Sequence, residues 1–313
     1  MIIRSPSNNI IYFSTFSLFL IFLFIISAVV FPNNAYSQKF EDVEIKPAKL
    51  SDNVYVITGK GGNLGLFLGK DGNILIDDQF APLTNKILDV IHNLTNQPIK
   101  FLINTHWHPD HTGGNENFGK SGSLIISHEN VRERLSTEQF IEFMERKIKP
   151  LPVEALPIIT FTDSISFHIN NETVRIYHFP NAHTDGDSMI YFKENNILHT
   201  GDIFVKNRYP FIDISSNGTI DGIIEALEKI ILLLNKETVI IPGHGNISNL
   251  NDLLEYLSML QDVRNNIFSQ INKGYSIKQI LESNPTSPFD HKYGNDKFIT
   301  RKDFVTAVFQ SLQ

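Results

Sequence analysis

KFLINTHWHPDHTGG, residues 100–114, runs from an apolar segment straight into three histidines and an aspartate. KFLIN is a short apolar run of the kind a sheet buries. His106 and His108 are two positions apart, so in extended chain their side chains leave on one side while Trp107 points to the other. Pro109 keeps His108 extended, and the turn after it delivers Asp110 and His111 as a second, adjacent set. A helical ligand pair would need the wider spacing of H-E-x-x-H, which this chain lacks. Three imidazoles this close have little structural purpose without a cation, so the stretch reads as a metal loop leaving a strand end. The chain contains no cysteine. That leaves histidine nitrogen and carboxylate oxygen as ligands for zinc and excludes thiol nucleophiles and disulfide staples.

Outward from this loop, strand and helix signals alternate. Upstream, NVYVITG, NLGLFLG and NILIDD are β-rich runs, and Lys70-Asp71-Gly72 between the last two signals a hairpin. Over 81–96, Leu83, Ile87, Val90, Ile91 and Leu94 recur at helical spacing before Pro98. Downstream, SLIIS is another strand and ENVRERL begins a helix. Residues 136–160, broken by Pro150, Pro152 and Pro157, read as a helix and a surface excursion. A second strand block, SISFHI, TVRIYHF, SMIYF and NILHT, precedes an amphipathic helix over 219–234. TVIIP is one more buried strand, and helices over 250–271, 277–282 and 301–312 finish the chain. Two similar blocks, each ending in a strand that runs into a histidine-bearing loop, predict two sheets packed face to face with helices outside, a four-layer α/β sandwich.

Residues 16–31, FSLFLIFLFIISAVVF, follow Arg4, the only charge before Lys39. A basic start, an apolar run and the small-residue site at Ala35-Tyr36-Ser37 predict a signal peptide over 1–37 ahead of a single domain over 38–313. An uncleaved N-terminal membrane anchor is the alternative. Both imply a secreted, periplasmic or otherwise extracytoplasmic domain. The net charge is −7, and −8 once Arg4 is set aside. Such a surface argues against nucleic acid as a partner and leaves a small-molecule substrate as the expectation.

The four ligands of the loop do not close two metal positions, so more belong at other strand ends. NAHTDGD, LHTGDIF and IPGHG each present a ligand type beside glycine directly after a β run. Taken in order, the set resembles the metallo-β-lactamase superfamily. Its H-x-H-x-D-H motif is matched by His106, His108, Asp110 and His111, and its later ligands by His183, Asp202 and His244. The resemblance spans about residues 54–245. It implies the metallo-β-lactamase fold, an αββα sandwich, with two zinc ions at one edge between the sheets. By the same resemblance His106, His108 and His183 hold one ion, Asp110, His111 and His244 hold the other, and Asp202 bridges them. Asp77, closing ILID, matches an aspartate that supports the metal loop. The commonest zinc β-lactamases use a cysteine ligand; Asp202 in this chain resembles the broader branch of glyoxalase II, lactonases and phosphodiesterases. The alternatives are a mononuclear iron enzyme like the superfamily's persulfide dioxygenases, which use only part of this ligand set, and a non-catalytic zinc-binding protein. Structural zinc sites are usually closed and cysteine-rich, unlike this set.

The expected chemistry is hydrolysis of an ester, lactone or β-lactam-type bond by water acidified between the ions to a pKa of about 7. Asp110 would orient that water and accept its proton. Lys206, Arg208 and Tyr209, just after Asp202, are candidates for contacting a substrate carboxylate or phosphate, although a solvated basic loop is an equal reading. Asp185 and Asp187 either shape the metal loop or form its turn, and LGLFLG either lids the pocket or belongs to the core. His92, His128, His168, His178, His199 and His291 are expected to be ordinary hydrogen-bonded residues.

Overall fold

The computed structural model describes residues 40–313, so the expected signal or anchor lies outside the described residues. The chain divides into units over 1–42 and 43–313, and the second contains every strand and helix of the described residues. None of these helices is long and apolar enough to cross a membrane.

The first sheet opens as an antiparallel meander of β1 (Lys46–Lys49), β2 (Val54–Thr58), β3 (Leu64–Phe67) and β4 (Asn73–Ile76). The expected turn at Lys70-Asp71-Gly72 joins β3 to β4, with Gly72 at φ 139°, where an L side chain would be strained. Helix α1 (Thr84–Leu94) buries Ile87 and Ile91 as it crosses to β5 (Ile99–Ile103), which pairs parallel with β4. Two short helices follow, α2 (Pro109–Thr112) and α3 (Asn115–Lys120), then β6 (Leu124–His128) and α4 (Glu129–Ser136). The helix expected within 136–160 is instead a hairpin of β7 (Gln139–Ile141) and β8 (Arg146–Ile148). Ile141 packs with Trp107, Val131 and Leu135, while the neighbouring Phe140 faces out. That is a period-two pattern, which overrides the local helical signal. Strand β9 (Ile159–Phe161) completes the seven-stranded order β1-β2-β3-β4-β5-β6-β9.

The second sheet holds β10 (Ser164–Ile169), β11 (Glu172–His178), β12 (Ser188–Phe192) and β13 (Ile197–His199), all antiparallel. Helix α5 (Ile220–Ile231) then crosses to β14 (Val239–Ile241), parallel to β13. The chain ends in α6 (Leu250–Asn272), α7 (Ile277–Ser283), α8 (Asp290–Tyr293) and α9 (Arg301–Ser311).

Side-chain alternation explains the layering. Val54, Val56, Ile74, Ile76, Ile103 and Ile126 of the first sheet meet Val174, Ile176, Ile190, Phe192 and Ile241 of the second. Met189, Leu198 and Ile240, on the far face of the second sheet, pack under Ile223 and Leu227 of α5 and Leu253 and Leu260 of α6. The expected αββα sandwich is therefore the observed fold. Every residue of β3 is buried between β2 and β4, so LGLFLG is core and not a lid.

Candidate metal centre

Four strand ends deliver the seven expected ligands. The chain leaves β5 through Asn104 and Thr105 into His106, leaves β11 toward His183, and leaves β13 and β14 toward Asp202 and His244. Their side chains form three interlocking triads: His106, His108 and His183; His106, His111 and Asp202; and Asp110, His111 and His244. Within each triad the ligand atoms lie within 4.8 Å of one another. His183 Nε2 is 2.9 Å from His108 Nδ1, and His244 Nε2 is 3.3 Å from Asp110 Oδ2 and 3.4 Å from Asp202 Oδ2. His111 Nε2 is 3.3 Å from Asp202 Oδ1. The histidines of the first triad are buried; Asp110 and His244 are part-exposed and mark the mouth.

Hydrogen bonds from one nitrogen of His106, His108, His111 and His183 turn the other nitrogen toward the cluster. Asp77 accepts from Thr105 N–H at 2.8 Å, from the Thr105 hydroxyl at 2.8 Å and from His111 Nδ1 at 2.7 Å. With its own proton given to Asp77, the Thr105 oxygen accepts from His106 Nδ1 at 3.0 Å. His108 Nε2 donates to Asp213 at 2.9 Å, and His183 Nδ1 donates to the Phe211 carbonyl at 2.6 Å. The opposite nitrogens, His106 Nε2, His108 Nδ1, His183 Nε2 and His111 Nε2, converge on the cluster's interior. Hydrogen bonds of this kind orient ligands and raise their basicity.

The donor set fits a divalent cation. His106 Nε2 is buried with no hydrogen-bond partner, a costly state in a protein interior unless something else meets it, and the buried Asp202 Oδ1 has only His111 Nε2, at 3.3 Å. Burial, reinforced by His111 and His183, holds His106 well below the usual imidazole range, and burial with His108 holds His183 near 4. Both are therefore neutral, the form a metal requires. At the other end burial disfavours charge on His111 and His244, but Asp202 and Asp110 outweigh it; His111 rises well above its usual value and His244 to about 9. Among the described residues no lysine or arginine pairs with Asp110 or Asp202. These carboxylates thus draw positive charge from imidazoles, a demand that a divalent cation meets directly.

Close backbone approach shapes the rest. A Cβ on Gly62 would lie 2.1 Å from His111 Cε1, so the loop after β2 can pass over that ring only with glycine there. Asn63 donates through Nδ2 to the carbonyls of Pro242 and Gly245, both at 2.8 Å, and ties that loop to the one bearing His244.

The substrate candidates are placed differently. Tyr209 is buried, its hydroxyl donates to Asp290 at 2.8 Å and its ring stacks on Phe304, so it belongs to the core and not to a substrate site. Lys206 is paired with Asp252, and Arg208 lies 3.0 Å from Asp296. Asp187 caps the metal loop by accepting from Thr184 N–H at 2.8 Å, and burial lifts it to about 8. Asp185 pairs with Arg134. Asp213 and the Phe211 carbonyl were not legible in the sequence, because their partners lie far away along the chain.

The metallo-beta-lactamase superfamily profile matches residues 53–244. A linear primary-alkylsulfatase from a Pseudomonas species is 23% identical over 77% of this chain and 53% of its own length. A hydroxyacylglutathione hydrolase from Pelagibacter ubique is 28% identical over 33% of this chain and 36% of its own. The chain thus spans about half the alkylsulfatase and a smaller share of the hydrolase. Among solved structures, a metallo-beta-lactamase from Pontibacter korlensis superposes with TM-score 0.58 at 22% identity over 70% of this chain and 100% of that one. The DIM-1 metallo-beta-lactamase superposes with TM-score 0.58 at 15% identity over 70% of this chain and 99% of that one. At these identities the superpositions establish the fold.

Proposed function

The chain belongs to the metallo-β-lactamase superfamily, and we propose that it is a dinuclear zinc hydrolase cutting an ester, lactone or β-lactam-type bond in a small molecule. The observation that carries this reading is the buried His106 Nε2, which has no hydrogen-bond partner, inside triads that share His106 and His111. His106, His108 and His183 would hold one ion and Asp110, His111 and His244 the other, with Asp202 between them. Such ions supply Lewis acidity and lower the pKa of water to about 7.

The chain's own groups do the rest. Asp77, Asp213 and the Phe211 carbonyl hold four imidazoles in the ligating tautomer, so no reorientation is needed when substrate arrives. Asp110, part-exposed at the mouth, is the carboxylate there that would accept a proton from water. The N-terminal composition supports export of this domain. Two relatives named as a linear primary-alkylsulfatase and a hydroxyacylglutathione hydrolase favour a small organic substrate over nucleic acid.

The test is elemental analysis of the purified protein alongside a hydrolysis panel of a cephalosporin, a lactone, a thioester, a sulfate ester and a phosphodiester. Close to two zinc ions with turnover of one class supports the reading; a single iron without hydrolysis replaces it with the dioxygenase-like alternative. Asp110→Ala is expected to lower kcat by about 100-fold or more, the scale of a lost general base. Full activity with both ions bound would remove Asp110 from the chemistry.

A further inference from the structure

The metal loop has an outer face as well as an inner one. Trp107 stands between His106 and His108 in the chain but turns the other way, packing with Val131, Leu135 and Ile141 and donating through Nε1 to Ser216. With Pro109, Thr112 and Gly113 it lines a cleft of about 420 Å³ whose lining includes none of the seven ligands. The opposite wall is β8 and the chain that follows it, with Ile148 and Leu151 as its apolar part. Four cations line this cleft, Arg134, Arg146, Lys147 and Lys149, and no acidic residue does, in a chain whose net charge is −7. Arg134 lies over the Trp107 ring at 6.0 Å and pairs with Asp185, and Lys147 lies 3.0 Å from Glu138; both acids are outside the lining. Arg146 and Lys149 are exposed and have no ion pair among the described residues. A cleft lined by one sign of charge focuses its field and concentrates ions of the other sign. The volume also lies in the range of small-molecule sites, about 300–1,000 Å³. A solvated basic turn would need no concavity, yet these cations share one with Trp107, Leu135 and Leu151.

We propose that this cleft is a binding site for a small organic anion, a carboxylate or phosphate head on a short apolar body, separate from the metal centre. The head meets Arg146 and Lys149, and the body lies against Ile148, Leu151 and Trp107. The two sites use opposite faces of one turn: Asp110 and His111 join the metal cluster, whereas Pro109, Thr112 and Gly113 line the cleft. Occupancy of the cleft therefore does not depend on which reaction the metals perform.

Trp107 is the chain's only tryptophan, so its fluorescence reports on the cleft wall. The zinc-loaded full chain is titrated with hexanoate, hexyl phosphate and the uncharged hexanamide, and calorimetry follows the same titrations. At least one of the two anions should shift the emission saturably and bind about tenfold more tightly than hexanamide, with affinity falling as salt screens the cations. The tighter of the two identifies the head group. Arg146→Gln and Lys149→Gln should each weaken that binding about two- to fivefold, the scale of one exposed ion pair, and the double variant about tenfold. Both side chains are exposed, so these substitutions leave the packing intact. Lys278→Gln on α7, outside the lining, should leave the affinity unchanged. Equal binding of hexanamide, or no saturable shift with either anion, overturns the site. An affinity that the double variant leaves unchanged places the anion at the metals and overturns it too. Inorganic phosphate binding as tightly as hexyl phosphate would remove the apolar wall from the recognition and overturn the proposed occupant.

Discussion

Replacing Asp213 with alanine should separate the two proposed metal positions. Its Oδ2 accepts from His108 Nε2 at 2.9 Å and from the Ser216 hydroxyl at 2.6 Å, and that hydroxyl in turn accepts from Trp107 Nε1 at 3.1 Å. The carboxylate is held well below its usual range, since these donors and His108 outweigh the effect of burial. Removing it frees the His108 ring to turn and to carry its proton on either nitrogen. A hydrogen bond to a charged group contributes about 1.5–3 kcal/mol, equivalent to about ten- to a hundredfold in affinity, which agrees with the cost of losing such supports in metalloenzymes. Only the ion held by His106, His108 and His183 should weaken. Asp77→Ala, by contrast, strips support from His111 directly and from His106 through Thr105, and should weaken both. Zinc titration against a chromophoric chelator reads the two steps separately and needs no turnover. Equal loss at both steps in Asp213→Ala, or no loss at either, would refute the reasoning.

Gly62→Ala should cost the second ion, because its Cβ would fall 2.1 Å from a His111 ring that is fully buried and tied to Asp77; elemental analysis near one zinc per chain is the expected result, and an unchanged count would contradict it. Tyr209→Phe should lower stability by about 1–2 kcal/mol through loss of its bond to Asp290, with KM unchanged; a raised KM would return Tyr209 to the substrate site. His178 stacks on His128 at 3.6 Å and is pushed down to about 4 by partial burial and by His128. As pH falls below about 6.5 the unfolded chain takes up this proton while the folded one does not until about 4, so stability rises with pH across that window. His178→Gln should flatten that rise in zinc-free thermal melts, and an unchanged slope would show that the stack carries none of it.

The layered fold was legible because its signals are local. Alternation in NVYVITG and helical spacing in residues 219–234 each fall within one element, and burial of one face follows directly. Residues 136–160 misled because the hairpin there is stabilised by Ile141 against Trp107, a contact no local window contains. The spacing within His106, His108, Asp110 and His111 announced a metal loop, and glycine beside His183, Asp202 and His244 marked the remaining strand ends.

What the sequence determined by itself is the donor chemistry: a chain without cysteine, carrying these histidines and aspartates at strand ends, can offer only nitrogen and oxygen to a cation. Only the tertiary structure decided which proton each imidazole keeps and which aromatics stand free. His108 meets Asp213, His183 meets the Phe211 carbonyl, and Phe143 meets Phe298 across long separations in the chain. Hydrogen-bond direction and burial are properties of where chain segments meet in space, and residue order alone does not specify them.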